Sequence, residues 1–310
     1  MPGLSDGPTG YLNDIVQRMT TSWVVGSGGL LGRAVVAELT RRGHDVMTSA
    51  VPWSDNPRAR GVIVEDARRF HGIDNVVWCA GAGVNGTSRD EFSQENDLLA
   101  DVLGAVECET FFHASSAGGV YAGTPNAPHD ENSVPTPLGD YGRAKLDAEA
   151  LVRSLDSRTV IGRFANLYGP GQNLAKPQGL ISHLCRGYLL ASPISIYVPM
   201  DTLRDYLFVT DAAEMVGDAL ELAPTVPETS TTKIFASGQA VTIGAILGAC
   251  RSVFHRRPNV VQAASPLSAV QGSDLRLRSV VWPSIDQRTH RTLHAGIAAT
   301  LNATRSALLF

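Results

Sequence analysis

The chain has 310 residues, of which 44% are apolar and 18% charged, with 30 glycines and 17 prolines; this is the balance of a globular protein with a sizeable core. The formal net charge of -4 gives no electrostatic reason to expect a nucleic acid or an anionic membrane as partner. The four cysteines lie far apart without a CxxC pair, so we predict neither a metal site nor a disulfide framework. We expect a cytoplasmic protein, because the first twenty residues lack a signal-peptide pattern and no apolar run reaches the roughly 18 residues of a membrane span.

The first predicted elements are a strand, a glycine turn and a helix. WVVG at 23–26 is a short apolar run, and SGGLLGRAVVAELTRRG at 27–43 has helical periodicity. Gly26, Gly29 and Gly32 recur every third residue across the turn, where backbone amides and the helix dipole can bind a pyrophosphate. The pattern predicts a nucleotide site, although a glycine turn that only packs has the same appearance.

Strands and helices then alternate along the chain. We predict strands at 44–51, 74–83, 110–119 and 158–171, and helices at about 57–70, 90–107 and 139–155. This alternation predicts an α/β fold of the Rossmann type, with a doubly wound parallel sheet.

The alternation weakens after about residue 172, which indicates a smaller C-terminal α/β lobe for the substrate. A strand and helix at 205–223 and a strand at 233–238 are interpreted as a return to the first lobe, and 241–254 as a helix. The predicted organisation is an N-terminal arm at 1–20, a Rossmann domain formed by 21–171 plus about 203–238, and a substrate-binding lobe formed by about 172–202 plus 239–310.

Two side chains in DYGRAKLDAE at 140–149 point to acid-base chemistry. Tyr141 and Lys145 are four residues apart, so they share one face of the predicted helix. A phenol has an ordinary pKa near 10, and a neighbouring ammonium lowers that pKa toward the range in which proton transfer is efficient. Taken alone, the pair is better explained as an exposed helical pair without a function.

Five segments in this order resemble the extended branch of the short-chain dehydrogenase/reductase superfamily, the NAD-dependent epimerase/dehydratase family. They are GSGGLLG, SSAGGVYAG, YGRAK, RFANLYGPGQ and RDYLFVTDAA. The resemblance covers residues 22–220 well and the last 70 residues loosely. It implies a Rossmann lobe that binds NAD or NADP, a substrate that is most often a nucleotide-diphosphate sugar, and a homodimer formed through the helices at 90–107 and 139–155.

The resemblance also implies roles for individual residues. The catalytic candidates are Ser116, Tyr141 and Lys145. Ser115 is the alternative to Ser116, because many family members carry their hydroxyl four residues before Tyr121, where this chain has Ala117. The candidate cofactor contacts are Gly26, Gly29, Leu30, Leu31, Gly32, Ser49, Ala80, Gly81, Tyr141 and Lys145. The candidate substrate contacts are Ser115, Ser116, Asn166 and Arg204.

The choice between NAD and NADP stays open, with a lean to NADP. The second strand ends in MTSAVPW, which offers no acid for the ribose, whereas Ser49 with Arg58 or Arg60 could receive a 2'-phosphate. The segment after this strand is short, so the third strand usual in the family is expected to be reduced or absent.

Three functions remain as hypotheses. The first is an epimerase of a nucleotide-diphosphate sugar, the second an NADPH-dependent reductase of a keto-sugar or another small ketone, and the third a catalytically idle NAD(P)-binding sensor. A 4,6-dehydratase is disfavoured, because Ala117 and Gly118 stand where those enzymes resemble one another in an acidic pair. Arg204 could instead form a structural ion pair with Asp205 or Asp211.

Overall fold

The computed structural model describes residues 18–53, 55–70, 72–81, 83, 87–265 and 269–309; residues 1–17 of the predicted arm at 1–20 lie outside them. The strands are β1 (Thr21–Val25), β2 (Asp45–Thr48), β3 (Ile73–Trp78), β4 (Cys108–Ser116), β5 (Arg158–Phe164), β6 (Asn166–Tyr168), β7 (Ile194–Ile196), β8 (Leu203–Phe208), β9 (Ser230–Phe235), β10 (Ala240–Thr242), β11 (Val260–Gln262) and β12 (Asp274–Leu275). The helices are α1 (Leu30–Arg41), α2 (Asn56–Arg69), α3 (Arg89–Leu103), α4 (Ala117–Val120), α5 (Asp140–Arg153), α6 (Leu180–Leu189), α7 (Val209–Leu222), α8 (Ile243–Phe254), α9 (Pro283–Asp286) and α10 (Leu293–Leu309).

The larger lobe is built on a six-stranded sheet in the order β2-β1-β3-β4-β5-β9, and every neighbouring pair in it is parallel. Its central strands are nearly continuous apolar runs, because both faces are covered by helices. One core lies between the sheet and α1 and α7, and a second lies between the sheet and α2, α3 and α5. The predicted doubly wound α/β architecture is confirmed.

Among the described residues, no strand lies between β2 and α2. After β2, the chain passes through α2 and returns as β3 directly beside β1. Asp55 caps α2 by accepting a hydrogen bond from the amide of Arg58, and Pro57 follows in the first turn. These signals start a helix where another strand would otherwise stand.

The single strand predicted at 158–171 is two strands in two different sheets. β5 ends at Phe164, and β6 starts at Asn166 and pairs with β8. Ala165 is the one-residue connection, and its amide still donates to Phe235 O of β9 at 2.9 Å. The chain therefore leaves the large sheet at Ala165 and enters the smaller lobe.

The smaller lobe contains a sheet in which β8 pairs with β6, β10 and β12, and a separate two-stranded pair of β7 with β11. Its core is formed largely by α6, α8 and α10. The predicted boundary near 203 assigned β8 to the Rossmann domain, and this part is wrong: β8 belongs to the smaller sheet, whereas α7 packs on α1 and β9 completes the large sheet. A buried strand has the same apolar pattern in either sheet, so the sequence alone did not separate them.

No helix within the described residues has both the length and the apolar character needed to cross a membrane.

Candidate functional site

The glycine turn connects β1 to α1 and lies against the residues that follow β3, where the winding of the sheet reverses. Gly26 has φ +83, a left-handed conformation that favours glycine, and a Cβ built on it would lie 2.6 Å from the amide nitrogen of Ala80. A Cβ on Gly32 would overlap Gly26 O, so the helix can start this close to the turn only because residue 32 is glycine. Ligands of open α/β sheets bind at this type of switch point.

The turn fits the diphosphate of a dinucleotide. Gly29, whose amide donates to Gly26 O at 2.9 Å, is the residue before α1, and it has no side chain to cap the helix. The first amides of a helix have no partner within the helix, so those at Leu30 and Leu31 are available to an anion. The Leu31 side chain itself is buried in the core, so only its backbone can contact a cofactor.

The residues that follow β3 contact the glycine turn on one side and Lys145 of α5 on the other. Gly81 follows β3 and is exposed, and a Cβ built on it would lie 3.3 Å from Lys145 Nζ. Ala80, the residue before it, touches Gly26. The ammonium of Lys145 therefore lies at the same cleft as the glycine turn.

Tyr141 and Lys145 are together on α5, as their spacing predicted. Lys145 Nζ is 5.8 Å from the centroid of the Tyr141 ring. The ring also packs on Gly119, where a Cβ would lie 2.9 Å from Tyr141 Cε1, and its centroid is 6.0 Å from that of Phe92 on α3. Both side chains are half-buried, so the pair sits at the cleft and is not an exposed helical pair.

The two candidate serines have different surroundings. Ser116 is the residue before the short helix α4, and its Oγ accepts a hydrogen bond from the amide of Gly119 at 3.2 Å. No described residue accepts a hydrogen bond from the Ser116 hydroxyl, so its hydrogen can be donated to a ligand. Gly119 packs against the Tyr141 ring.

Ser115 faces the helix layer instead. Its Oγ donates to Glu149 Oε1 at 2.6 Å inside the protein. Glu149 also accepts two hydrogen bonds from Arg163, at 3.0 and 2.6 Å. The expectation that Ser115 contacts substrate conflicts with this geometry, because the residue is 5% exposed and its hydroxyl is bonded to a buried carboxylate.

Burial alone would raise the pKa of Glu149, but hydrogen bonds and charge from Arg163, with further hydrogen bonds from Ser115 and Arg153, hold this pKa below its ordinary value. Glu149 lies four residues after Lys145 and eight after Tyr141, on the same helical face. The buried ion pair thus fastens the face of α5 that carries the acid-base candidates.

His113 lies on β4 three residues before Ser116 and is 1% exposed. Burial, followed by the positive charges of Lys145 and Arg153 on α5, lowers the pKa of His113 to about 3. Neither ring nitrogen has a hydrogen-bond partner within the described part of the chain. His113 is a packed, neutral imidazole.

The two polar candidates of the smaller lobe lie on the paired strands β6 and β8. Asn166 is exposed and donates to Asp205 O at 3.1 Å. Arg204 is 7% exposed, its Nη1 donates to Leu203 O at 2.8 Å, and burial lowers the pKa of its guanidinium.

The ion pairs considered for Arg204 do not form. The Asp205 carboxylate accepts hydrogen bonds from the amide and hydroxyl of Ser237, and the Asp211 carboxylate accepts from the amide of Arg291. Arg204 is thus a buried cation whose two expected acids bind other groups.

The groups considered for a 2'-phosphate are spread apart. Ser49 follows β2 and accepts a hydrogen bond from the Trp23 indole at 2.9 Å. The guanidinium of Arg60 pairs with Asp101 on α3. Arg58 is exposed, with its Nε 4.0 Å from Asp55. These contacts remove Arg60 from the argument for NADP.

Close packing around Tyr141 was missed by the sequence reasoning. Phe92 lies within the space that a Cβ on Gly83 would need, and a Cβ on Gly142 would overlap Gly119 O. Gly119 stands in SSAGG and Gly142 in YGRAK, so both were inside the recognised motifs. Nothing in these motifs indicated that the two glycines meet. Within the described residues, no cluster of His, Cys, Asp or Glu could hold a metal ion.

Comparison with known proteins places the chain in a family. The model of the NAD dependent epimerase/dehydratase family matches residues 23–230, more than half of the sequence. The chain belongs to this family. It is therefore an NAD(P)-dependent enzyme, and the predicted resemblance is confirmed.

Individual relatives are more distant. The chain is 24% identical over 231 residues to a dTDP-4-dehydro-6-deoxyglucose reductase of Escherichia coli, covering 64% of this chain and 72% of that protein. It is 27% identical over 229 residues to a UDP-glucose 4-epimerase of Azospirillum brasilense, covering 62% and 65%. Its fold is similar to that of the Thermus thermophilus UDP-glucose 4-epimerase solved with NAD, with a TM-score of 0.75, 20% identity and coverage of 93% and 100%.

Proposed function

We propose that this protein is an NAD(P)-dependent epimerase of a nucleotide-diphosphate sugar, with Tyr141 as the acid-base group. The observation that carries the proposal is the position of Lys145: its ammonium lies against Gly81 at the dinucleotide cleft and 5.8 Å from the Tyr141 ring centroid. One cation thereby reaches both the cofactor side of the site and the proton-transfer side.

Each catalytic side chain has a distinct part in the reaction. A nicotinamide held at the glycine turn would supply the reversible hydride transfer at the sugar carbon that an epimerisation needs. Tyr141 takes the proton of the reacting sugar hydroxyl and gives it back, and the Lys145 ammonium stabilises the negative charge on the phenol oxygen. Ser116 donates its free hydroxyl hydrogen to the same sugar oxygen and orients it.

The cofactor would be held by the glycine turn and the end of β3. Gly26, Gly29 and Gly32 allow the backbone to approach the diphosphate, and the amides of Leu30 and Leu31 bind it. Ala80 and Gly81 line the cleft beside Lys145. Ser49, at the end of β2, is the proposed contact with the adenine-side ribose.

The substrate assignment depends on Arg204 and Asn166. A guanidinium that is buried without either of the nearby acids is costly unless an anion neutralises it, and the planar fork of arginine suits two phosphate oxygens. Asn166 lies on the neighbouring strand and is exposed. Among the described residues no carboxylate forms an ion pair with Arg204, although the charge of Asp274 on β12 acts on it. A nucleotide diphosphate would supply an anion that binds the guanidinium directly.

The proposal is tested by measuring turnover of a panel of nucleotide-diphosphate sugars for the wild type and for Tyr141→Phe. We expect Tyr141→Phe to lower kcat by about 10² to 10⁴, the usual contribution of a positioned proton-transfer group, while NADH affinity stays within about threefold. Tyr188→Phe, a phenol stacked on Phe254 in the smaller lobe, is the matched control and should keep wild-type turnover. Equal turnover in Tyr141→Phe would overturn the mechanism, whereas a wild type that binds NADH but turns over none of the sugars would favour an idle sensor.

A reductase is the second candidate, because the Escherichia coli relative is named as one. The two functions differ in the fate of the cofactor. An epimerase restores its cofactor in each cycle, so absorbance at the reduced-nicotinamide band is unchanged during turnover. A steady fall of that band in proportion to product would establish the reductase instead.

A further inference from the structure

Arg33 contacts both the glycine turn and the loop that follows β6. It lies on the first turn of α1, directly after Gly32. Its Nε donates to Gly28 O at 2.9 Å, and its Nη2 donates to Gly171 O at 3.4 Å. Gly28 is part of the turn proposed to hold the diphosphate, and Gly171 follows the strand β6 that carries Asn166.

The contact is specific to a guanidinium. Its donors lie in a planar fork, so one side chain can hold two carbonyls that are far apart in the sequence. Both acceptors of these bonds are backbone oxygens, which carry no full charge to bind the guanidinium permanently. The side chain is exposed, and the longer bond at 3.4 Å is at the limit of a hydrogen bond.

The loop that Arg33 holds is short and built around glycines. Gly169 has φ +143 and Gly171 has φ +93, and a Cβ on Gly171 would lie 3.8 Å from the Arg33 guanidinium carbon. A larger residue at 171 would be strained because of this positive φ, and its Cβ would touch the guanidinium at ordinary contact distance. The loop begins one residue after Tyr168, which is buried, so a movement at Gly171 is transmitted towards Asn166 through only a few backbone bonds.

We propose that Arg33 is a positioning residue that couples cofactor binding at the glycine turn to the position of the 169–173 loop. The inference depends on the proposed placement of the dinucleotide. A diphosphate at the turn orders the backbone around Gly28, Gly28 O then fixes the guanidinium, and the guanidinium draws Gly171 O toward the cofactor side. Cofactor binding thereby orders the 169–173 loop beside β6, the strand that carries Asn166.

Hydrogen exchange measured with and without NADH tests the coupling without needing a substrate. In the wild type, NADH should slow exchange both in the glycine turn and at the amides of residues 171–173, by about fivefold or more at the loop, which is the usual lower range of coupling between sites. Arg33→Ala should keep the effect in the turn and lose it at the loop.

Arg33→Lys separates charge from geometry. A lysine keeps the positive charge beside the turn, so NADH affinity should stay within about threefold of wild type, but one ammonium on a flexible chain does not span both carbonyls, so loop protection should be lost. If either Arg33→Lys or Arg33→Ala retains full protection of the loop, Arg33 does not couple the turn to the loop and the inference is wrong. Arg305→Ala, an exposed arginine on α10, is the control and should match wild type.

The outcome separates this inference from the proposed function. Loss of turnover in Tyr141→Phe with unchanged loop protection supports both the proposed function and the coupling through Arg33. A wild type that binds NADH normally without any protection of the loop overturns only the coupling. A wild type that binds neither NADH nor NADPH overturns both, because the dinucleotide position is then wrong.

Discussion

Glu149 shows how a buried charge can serve an active site without touching it. Arg163 of β5 makes two hydrogen bonds to its carboxylate and a third to the Tyr121 hydroxyl at 2.6 Å, and the Tyr121 hydroxyl donates to Asp130 O at 3.0 Å. Removing one partner of such a buried pair costs about 3–5 kcal/mol, because the other charge is left uncompensated. Since Tyr141, Lys145 and Glu149 share one helical face, this network fixes the position of the acid-base pair.

His113 gives the protein a pH-dependent stability of predictable sign. The folded protein holds the pKa of this imidazole at about 3, while an unfolded histidine titrates near 6.5. Below about pH 6.5 the unfolded chain therefore binds a proton that the folded chain does not, and stability falls with decreasing pH until about pH 3. At pH 5.5, one unit below the unfolded pKa, the loss relative to pH 7.5 is about 1.4 kcal/mol.

The variant His113→Leu tests this prediction by denaturant unfolding at pH 7.5 and pH 5.5. Leucine leaves no hydrogen-bonding partner behind, because neither imidazole nitrogen is bonded to another described residue. The wild type should lose about 1.4 kcal/mol more than the variant between the two pH values. Equal losses in both proteins would mean that His113 is accessible to protons in the folded state.

The elements around the site are set by a contact between two glycines. Gly119 packs against the Tyr141 ring, and Gly142 packs against Gly119 O. The backbones of α4 and α5 are therefore in direct contact. This approach places the ring of Tyr141 beside the turn that begins with Ser116. A side chain at either glycine would separate the two helices.

Gly142→Ala is expected to disturb the site through this contact. Its Cβ would overlap Gly119 O, and relieving such overpacking costs about 1–3 kcal/mol and displaces Tyr141. Because a misplacement of about 1 Å can reduce catalysis on the order of 10²-fold, we expect lower kcat together with a lower Tm. The measurements are thermal unfolding and turnover.

The matched control is Gly248→Ala, an exposed glycine within α8 around which nothing lies within 4 Å. Replacing a glycine in a helix by alanine there should stabilise the protein by about 1 kcal/mol and leave kcat unchanged. If Gly142→Ala behaves like this control, the glycine contact does not position Tyr141.

At the scale of the whole molecule, late segments of the chain return to the large lobe. Lys233 of β9 is fully buried, and its Nζ binds Ser279 Oγ, Val281 O and the Asp286 carboxylate. Glu131 accepts hydrogen bonds from the amide of Ile234 and from Ser279 Oγ. The last part of the sequence is therefore fastened to the edge strand of the Rossmann sheet and does not belong wholly to the smaller lobe.

The expected homodimer remains a prediction at this scale. Helices α3 and α5 lie in one layer of the large lobe and pack on the same core. None of the exposed large apolar side chains within the described residues lies on either helix, so an interface there would use small and polar groups such as Asp97, Asp147 and Ala150. By light scattering we expect twice the mass of the chain for the wild type. Ala150→Arg should have the mass of one chain, because a long cation would enter the interface formed by α3 and α5 of the two copies. A wild type with the mass of one chain would contradict the prediction.

Local patterns in the sequence were sufficient for the fold class and for bringing the two acid-base candidates together. Strand-helix alternation predicts a parallel sheet because strand and helix periods differ, and Tyr141 and Lys145 share a face because a helix repeats every 3.6 residues. The glycine turn follows from the conformations that only glycine adopts freely. Each of these properties depends on residues that are close together in the chain.

Tertiary structure alone decided the remaining features. The commitment of Ser115 to Glu149, the sheet to which β8 belongs, the contact of Gly119 with Gly142 and the bridge from Arg33 to Gly171 all join residues that are distant in sequence. Such pairs leave no periodic signal in the chain, because which of them meet depends on how the elements pack. The sequence by itself thus determined the elements and the chemistry they carry, and packing decided which of those groups meet at the cleft.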